Sequence, residues 1–436
     1  MRFALVLAFF GLAFVVFAQQ SQNPPTAVAA LPEAPTGFDG VPNGLVDQAT
    51  HDADREEFDQ VETIATGLGP VYNAQSCREC HQNPISGGAS QVTELRVGHR
   101  GPGGRFVNPQ IPLANGTIVS GRSLVNDRAI CPEAQQRVPD SETIRTFRLS
   151  LNLLGDGFVE AVADETLMEL ARGQCARTRG RICGLVLHVP VIEAKGETRV
   201  GRFGWKNQHA SLLSFSADAY LNEMGITSEL LPDEVTSVCD KVADPEDEKE
   251  GADGLADIDR FARFMRATKA PARDAAFAAT ARAKRGAELF EAVGCAICHA
   301  PTLTTAPAGT KINGGTFIVP AALGGKTFHP YSDFLLHDVG TGDGIIMNPE
   351  EHHGQNMRRL RWRNFSDRDV DSAEFKLRTA PLWGVRLRTR LMHDGASVTI
   401  SDAIQRHRGE AGEVTRRYQG LSQGDQDAVL DFLRSL

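Results

Sequence analysis

The pattern Cys-x-x-Cys-His stands twice in the chain, in SCRECHQNPISGG (Ser76–Gly88) and in GCAICHAPT (Gly294–Thr302), with the leading cysteines 218 residues apart. No other feature limits the possible folds as sharply. With 8 Cys and 12 His in 436 residues, chance supplies roughly 0.004 copies of the pattern. Two thiols three positions apart are each able to form a thioether to a haem vinyl group, while the His that follows swings up to ligate the iron. The competing readings are a zinc knuckle and a redox dithiol. Zinc needs a second ligand pair close by, and none follows Cys77/Cys80/His81 or Cys295/Cys298/His299 at finger spacing. Two covalently bound haem c groups are therefore expected.

Thioether attachment belongs to exported proteins, and the N-terminus agrees. MRFALVLAFFGLAFVVFAQQ has one basic residue, an apolar run from Phe3 to Phe17 and small residues ending at Ala18. It reads as a signal peptide over 1–18, cleaved before Gln19. The run is shorter than the roughly 20 apolar residues a spanning helix needs, so a periplasmic protein with no membrane span after cleavage is expected. The other cysteines, Cys131, Cys175, Cys183 and Cys239, are even in number, and in an oxidising space two disulfides are the default. The sequence leaves their connectivity open. Cys175 and Cys183 close the shortest loop, CARTRGRIC, and are the first choice, which leaves Cys131 with Cys239. A free catalytic thiol is the alternative, but no activating partner is evident nearby.

The net charge of -9 is mild for this length. It argues against a basic nucleic-acid-binding face and is compatible with docking a basic electron-transfer protein. SQNPPTAVAALPEAPTG, after the signal, is a Pro/Ala-rich leader expected to stay extended, so the leader is placed at 19–45 and ordered structure from Val46. Helical patterns are expected over Asp54–Thr66, Asp257–Ala267 and Ala278–Val293. Two C-terminal helices follow, one capped by Thr399 and stopping at Gly409, the other capped by Ser422 with Ala428, Val429, Phe432, Leu433 and Leu436 on one face. The expected domains are an N-terminal haem domain with inserted loops, 46–270, and a C-terminal cytochrome c-like domain, 271–436.

In order along the chain, TGLGPVYNAQSCRECH, GRFGWKNQHASL, RGAELFEAVGCAICH, YSDFLLHDVG, FKLRTAPLWGV and LMHDGASVTISDAIQRHRGEA resemble the di-haem oxidoreductases of peroxidase type, a distant branch of the bacterial di-haem cytochrome c peroxidases. The resemblance covers about residues 60–436 and is most specific in the C-terminal block. It implies a mainly α fold, with two cytochrome c-like domains facing each other, one haem in each, extended loops and a little β structure. Ca2+ is a further candidate ion. The thiol oxidoreductase activity that some names in this family carry finds no support, because both Cys-x-x-Cys pairs are followed by His and are consumed as thioethers.

The resemblance also suggests roles. In the di-haem peroxidases the position 14 residues after the His of MHDG holds the distal ligand of the C-terminal haem, usually Met. Here it is His407, which implies a bis-histidine haem, His299 with His407, of lower potential than a His/Met pair. That departure puts in question whether a high-potential cytochrome c is the donor. The alternative for His407 is a helix-end histidine favouring the dipole. His337 and His393 are rivals that look more like propionate partners. His99 stands where these peroxidases carry an exchangeable distal His for the N-terminal haem. A surface loop histidine is the competing reading. Glu160 is the candidate acid for proton transfer to bound peroxide, against a merely salt-bridged Glu160. Trp205 is the candidate relay between haems, with Trp383 as rival and core packing as the common fate of either. The expected function is a periplasmic di-haem oxidoreductase of peroxidase type, with the N-terminal haem as reaction centre and the C-terminal haem as electron relay. A pure electron carrier and a haem-dependent oxygenase on an organic substrate are the alternatives. The expected partners are a small redox protein, cytochrome or cupredoxin, and a small-molecule oxidant or substrate.

Overall fold

Each Cys-x-x-Cys-His segment is served by a pair of packed helices. In the computed structural model, which describes residues 30–249, 251, 253–346 and 372–436, α1 (Gln48–Asp59) packs against α2 (Asp257–Ala267), and α3 (Ala281–Val293) against α4 (Gln423–Ser435). The signal peptide expected over 1–18 lies outside the described residues.

α1 begins at Gln48 rather than Asp54 because Asp47 caps it, its carboxylate accepting the Thr50 N–H at 2.8 Å. His51, Asp54 and Phe58 make its buried face. It stops at Asp59, and Ile64–Thr66 is a separate short turn. α2 has the expected span, and Ile258, Phe261, Ala262 and Met265 recur on its inner face. Arg263 of α2 grips buried Asp54 of α1 with two nitrogens, at 2.7 and 2.6 Å.

α3 starts at Ala281 under a Thr280 cap and ends at Gly294, whose φ of 104° is left-handed. That turn delivers Cys295 and suits glycine. Gly286 on its inner face has a second reason to be glycine: a Cβ there would come within 1.9 Å of the Ala428 carbonyl oxygen of α4. α4 is capped by Ser422 and buries the anticipated stripe of Ala428, Val429, Phe432 and Leu433, with Leu436 beyond its end.

Between the first motif and α2 the chain is not helical in the main. β1 (Thr93–Arg100) pairs antiparallel with β2 (Ile144–Leu149), from Thr93↔Leu149 to Gly98↔Ile144, and two shorter strands add to this sheet. Six two-stranded ladders are scattered over the rest of the described residues. Helix amounts to 32% and strand to 16%, so the mainly α class is corrected to a mixed α and β chain with a large irregular share. The physical reason is the long insertion within the N-terminal unit, whose short apolar runs are broken by Gly and Pro too often to sustain a 3.6-residue period.

The described part of the 19–45 leader is tied down. Ala34 N donates to Thr327 O at 2.7 Å, Ala270 N to Pro35 O at 3.1 Å, and Asn43 Nδ2 to Arg266 O at 2.8 Å. Pro32–Leu436 forms one compact unit. Two disulfides, Cys131–Cys239 and Cys175–Cys183, close it. No described helix is long and apolar enough to cross a membrane.

Candidate haem centres

A short helical turn, Cys77–Cys80, is capped by Ser76 and presents Cys77, Cys80 and His81 to a largely apolar cavity of about 1250 Å³. Cys295, Cys298 and His299 follow α3 into a second cavity, of about 1370 Å³. The two surroundings repeat each other. Phe58 of α1 lies 6.4 Å from the His81 ring and 4.9 Å from Phe264 of α2; Phe290 of α3 lies 6.3 Å from His299 and 5.1 Å from Phe432 of α4.

The residues fit the group that the motif predicts. His81 Nδ1 bonds to the Leu151 and Gly88 carbonyls at 2.8 and 3.2 Å, and His299 Nδ1 to the Tyr331 carbonyl at 3.0 Å. Each ring thereby has its Nδ1 hydrogen used, which leaves Nε2 as the ligand atom. Burial pushes both imidazoles down to about 4, so both are neutral, as a metal ligand must be. The four motif cysteines are unpaired, while the other four are bridged. Burial raises all four thiols, Cys80 and Cys295 to about 12. Thiols so raised are poor nucleophiles, which disfavours dithiol exchange.

His407 faces His299. Their ring centroids are 6.4 Å apart, a distance that two metal–imidazole bonds of about 2.0–2.1 Å and two half-rings together span. The Ala403 carbonyl holds His407 Nδ1 at 2.7 Å, which leaves its Nε2 as ligand atom too. His337 is otherwise engaged: Nε2 meets Asp333 Oδ2 and Nδ1 meets Glu410 Oε2, both at 3.0 Å. Burial works against its charge, but the two carboxylates outweigh it and raise its pKa well above the usual value. His393 lines the same cavity, edge-on to Trp205 at 6.1 Å.

Trp205 lines both cavities, and its Nε1 donates to the Leu149 carbonyl at 2.7 Å. Trp383 packs 5.8 Å from Phe328 and lines neither. His99 is on β1, with Nδ1 on Glu142 at 2.8 Å, and does not line the first cavity. Glu160 lines neither cavity. It is fully buried, takes Arg266 Nε and Nη2 at 2.7 and 2.9 Å, and also accepts from Leu212 N and Asn313 Nδ2, both at 2.9 Å. The first cavity has a carboxyl pair that sequence reasoning missed. Glu94 and Glu223 share a hydrogen bond, Arg96 binds Glu94 with Nε and Nη2 at 2.7 and 2.9 Å, and Asn73 Nδ2 donates to Glu223 at 2.6 Å. Burial and the Glu94 charge raise Glu223, whereas Arg96 overcomes burial at Glu94 and lowers it. The environment thus favours a proton on Glu223 and the ionised form of Glu94. The available signal was Glu94-x-Arg96 in an alternating strand, which puts two opposite charges on one face.

Two apolar cavities, each entered by a neutral, half-buried imidazole with a free Nε2, have the make-up of haem sites. The chain belongs to the family described as "Di-haem oxidoreductase, putative peroxidase", which matches residues 131–436, a stretch that contains the second motif and starts after the first. Among solved structures it is similar to Kuenenia stuttgartiensis hydrazine synthase pressurised with 20 bar xenon, at 12% identity and a TM-score of 0.38, covering 98% of this chain and 100% of that one. A likeness so loose carries no argument. No curated protein matches.

Proposed function

We propose that this chain is an exported, periplasmic peroxidase-type oxidoreductase with two haem c groups. Cys77 and Cys80 hold the first as thioethers with His81 as ligand; Cys295 and Cys298 hold the second, with His299 and His407 as ligands. The observation that carries the reading is the difference between the two cavities. The second has a facing pair of histidines, His299 and His407. In the first, His81 is the only histidine among the described lining residues, and it shares the space with the Glu94–Glu223 pair. Ligation on both faces favours electron transfer, whereas an open face admits peroxide or O₂.

When bound, the haem irons supply the redox chemistry and the site for the oxidant. The protein supplies protons, position and a path. Glu223 would lend its proton to a leaving oxygen and Glu94, kept ionised by Arg96, would take up the proton that the oxidant loses, so that the pair ends with the one proton it began with. Trp205 stands in the partition between the cavities, where an aromatic ring shortens the route for electrons from the second site to the first. A small cytochrome or cupredoxin is the donor of those electrons.

The test is electron paramagnetic resonance of the oxidised and half-reduced holoprotein, before and after H₂O₂. A high-spin signal lost on peroxide, beside a low-spin signal that His407→Ala abolishes, is the expected result. Two low-spin haems inert to peroxide at every redox level would make the chain an electron carrier and remove the reaction centre.

A further inference from the structure

Five buried polar atoms without a hydrogen-bond partner belong to residues lining the second cavity: Arg378 Nε, Arg388 Nε, Thr341 Oγ1, His393 Nδ1 and Tyr418 OH. Buried polar groups are rarely left unpaired, because each costs its full desolvation energy. The two guanidinium Nε atoms are donors only, so what satisfies them has to be an acceptor. Neither arginine has a carboxylate within ion-pairing distance among the described residues. Arg378 spends Nη1 on the Arg202 carbonyl at 2.7 Å, and Arg388 spends Nη2 on the Ser150 carbonyl at 3.2 Å. The carboxyl that acts on Arg378 is Asp156, itself pushed up to about 8 by burial, so it supplies no full counter-charge. Burial is the whole of the influence on Arg388.

Two positive charges in one apolar wall, each with a donor unspent, fit a ligand with two carboxylates on one edge. Arg388 has a second property. Ser150, whose carbonyl it holds, lines the first cavity, so the Arg388 guanidinium stands at the boundary between the two sites. We propose that Arg378 and Arg388 bind the two carboxylates of the haem in the second cavity, and that Arg388, reaching through the Leu149–Ser150 partition, couples the two haem sites electrostatically. This rests on the di-haem reading above.

The experiment is a potentiometric titration of the holoprotein, with each haem followed by its own spin-state signal, for wild type, Arg378→Gln and Arg388→Gln. Loss of a positive charge favours the ferric form, so both variants should lower the potential of the second haem. The expected size is a tenfold change in its ferric-to-ferrous ratio at fixed solution potential, about 59 mV for one electron. Arg388→Gln alone should also lower the first haem's potential, by a smaller amount. Arg388→Gln with both haems bound and both potentials as in wild type overturns the proposal, and a fall confined to the second haem overturns the coupling. Should Arg388→Gln not retain both haems, Arg388→Lys keeps the charge and gives up the Nε donor. Both haems retained with potentials near wild type are then expected, and a second-haem potential as low as that of Arg378→Gln overturns the assignment. Fewer than two haems per wild-type chain would instead overturn the di-haem reading, which distinguishes the two failures.

Discussion

Replacing Glu160 by Gln separates a structural carboxylate from a catalytic one. Glu160 is 0% exposed and receives four donors on two oxygens, two of them from Arg266. Burial pushes its pKa up, but the Arg266 charge and these hydrogen bonds outweigh it and hold the carboxyl below the usual value. Gln keeps one acceptor and turns an NH₂ toward a guanidinium that is only 13% exposed. Removing one partner of a buried pair costs roughly 3–5 kcal/mol. The Phe317 ring, 4.2 Å from the Arg266 guanidinium carbon, retains part of the cation's stabilisation, worth about 0.5–2 kcal/mol, so a loss of about 3 kcal/mol is expected. Denaturant titration at pH 7 measures it, alongside peroxide turnover per mole of di-haem protein. Turnover should stay within twofold of wild type. The sign with pH follows from the lowered pKa: the contribution is present above the unfolded carboxyl value and is lost as pH falls through the folded one. A variant within about 0.5 kcal/mol of wild type whose turnover drops 10²–10⁴-fold, the range for a lost general acid, would refute this reasoning and place Glu160 in the chemistry.

The proton of Glu223 sets a second expectation. Its carboxyl is pushed up to about 8, so peroxide turnover should fall as pH rises through about 8, and Glu223→Gln should abolish that limb; an identical pH profile in the variant would exclude the pair. By linkage, the raised pKa stabilises the fold fully below the ordinary carboxyl value and stops doing so as pH rises through about 8. The disulfides should differ by loop length. Cys131–Cys239 encloses a separation of 108 residues and Cys175–Cys183 one of 8, so double Ser variants should lose about 5 and about 2.5 kcal/mol on the chain-entropy estimate. Equal losses, or the reverse order, in denaturant midpoints would show that loop closure does not govern them.

What could be read from the chain alone was whatever is local and periodic. Cys77-x-x-Cys80-His81 and Cys295-x-x-Cys298-His299 announce their chemistry within five residues, because attachment and ligation need only that spacing. The cap Ser422 and the stripe to Leu436 stand out because an α-helix repeats its buried face every three or four residues. His407 was within reach through its offset from His393 in the family's C-terminal block. The rest depended on residues distant in sequence meeting across the fold. Glu94 and Glu223 stand 129 residues apart with no local pattern to pair them, yet both line the cavity of the first motif. Glu160 reads as an acid in an apolar run until Arg266 is brought to it. Arg378 and Arg388 look like two of many surface arginines until the partition buries them with donors unspent. Charge, unlike apolar periodicity, has no local signature of burial, since its energy depends on which counter-charge and how much water the tertiary structure leaves beside it.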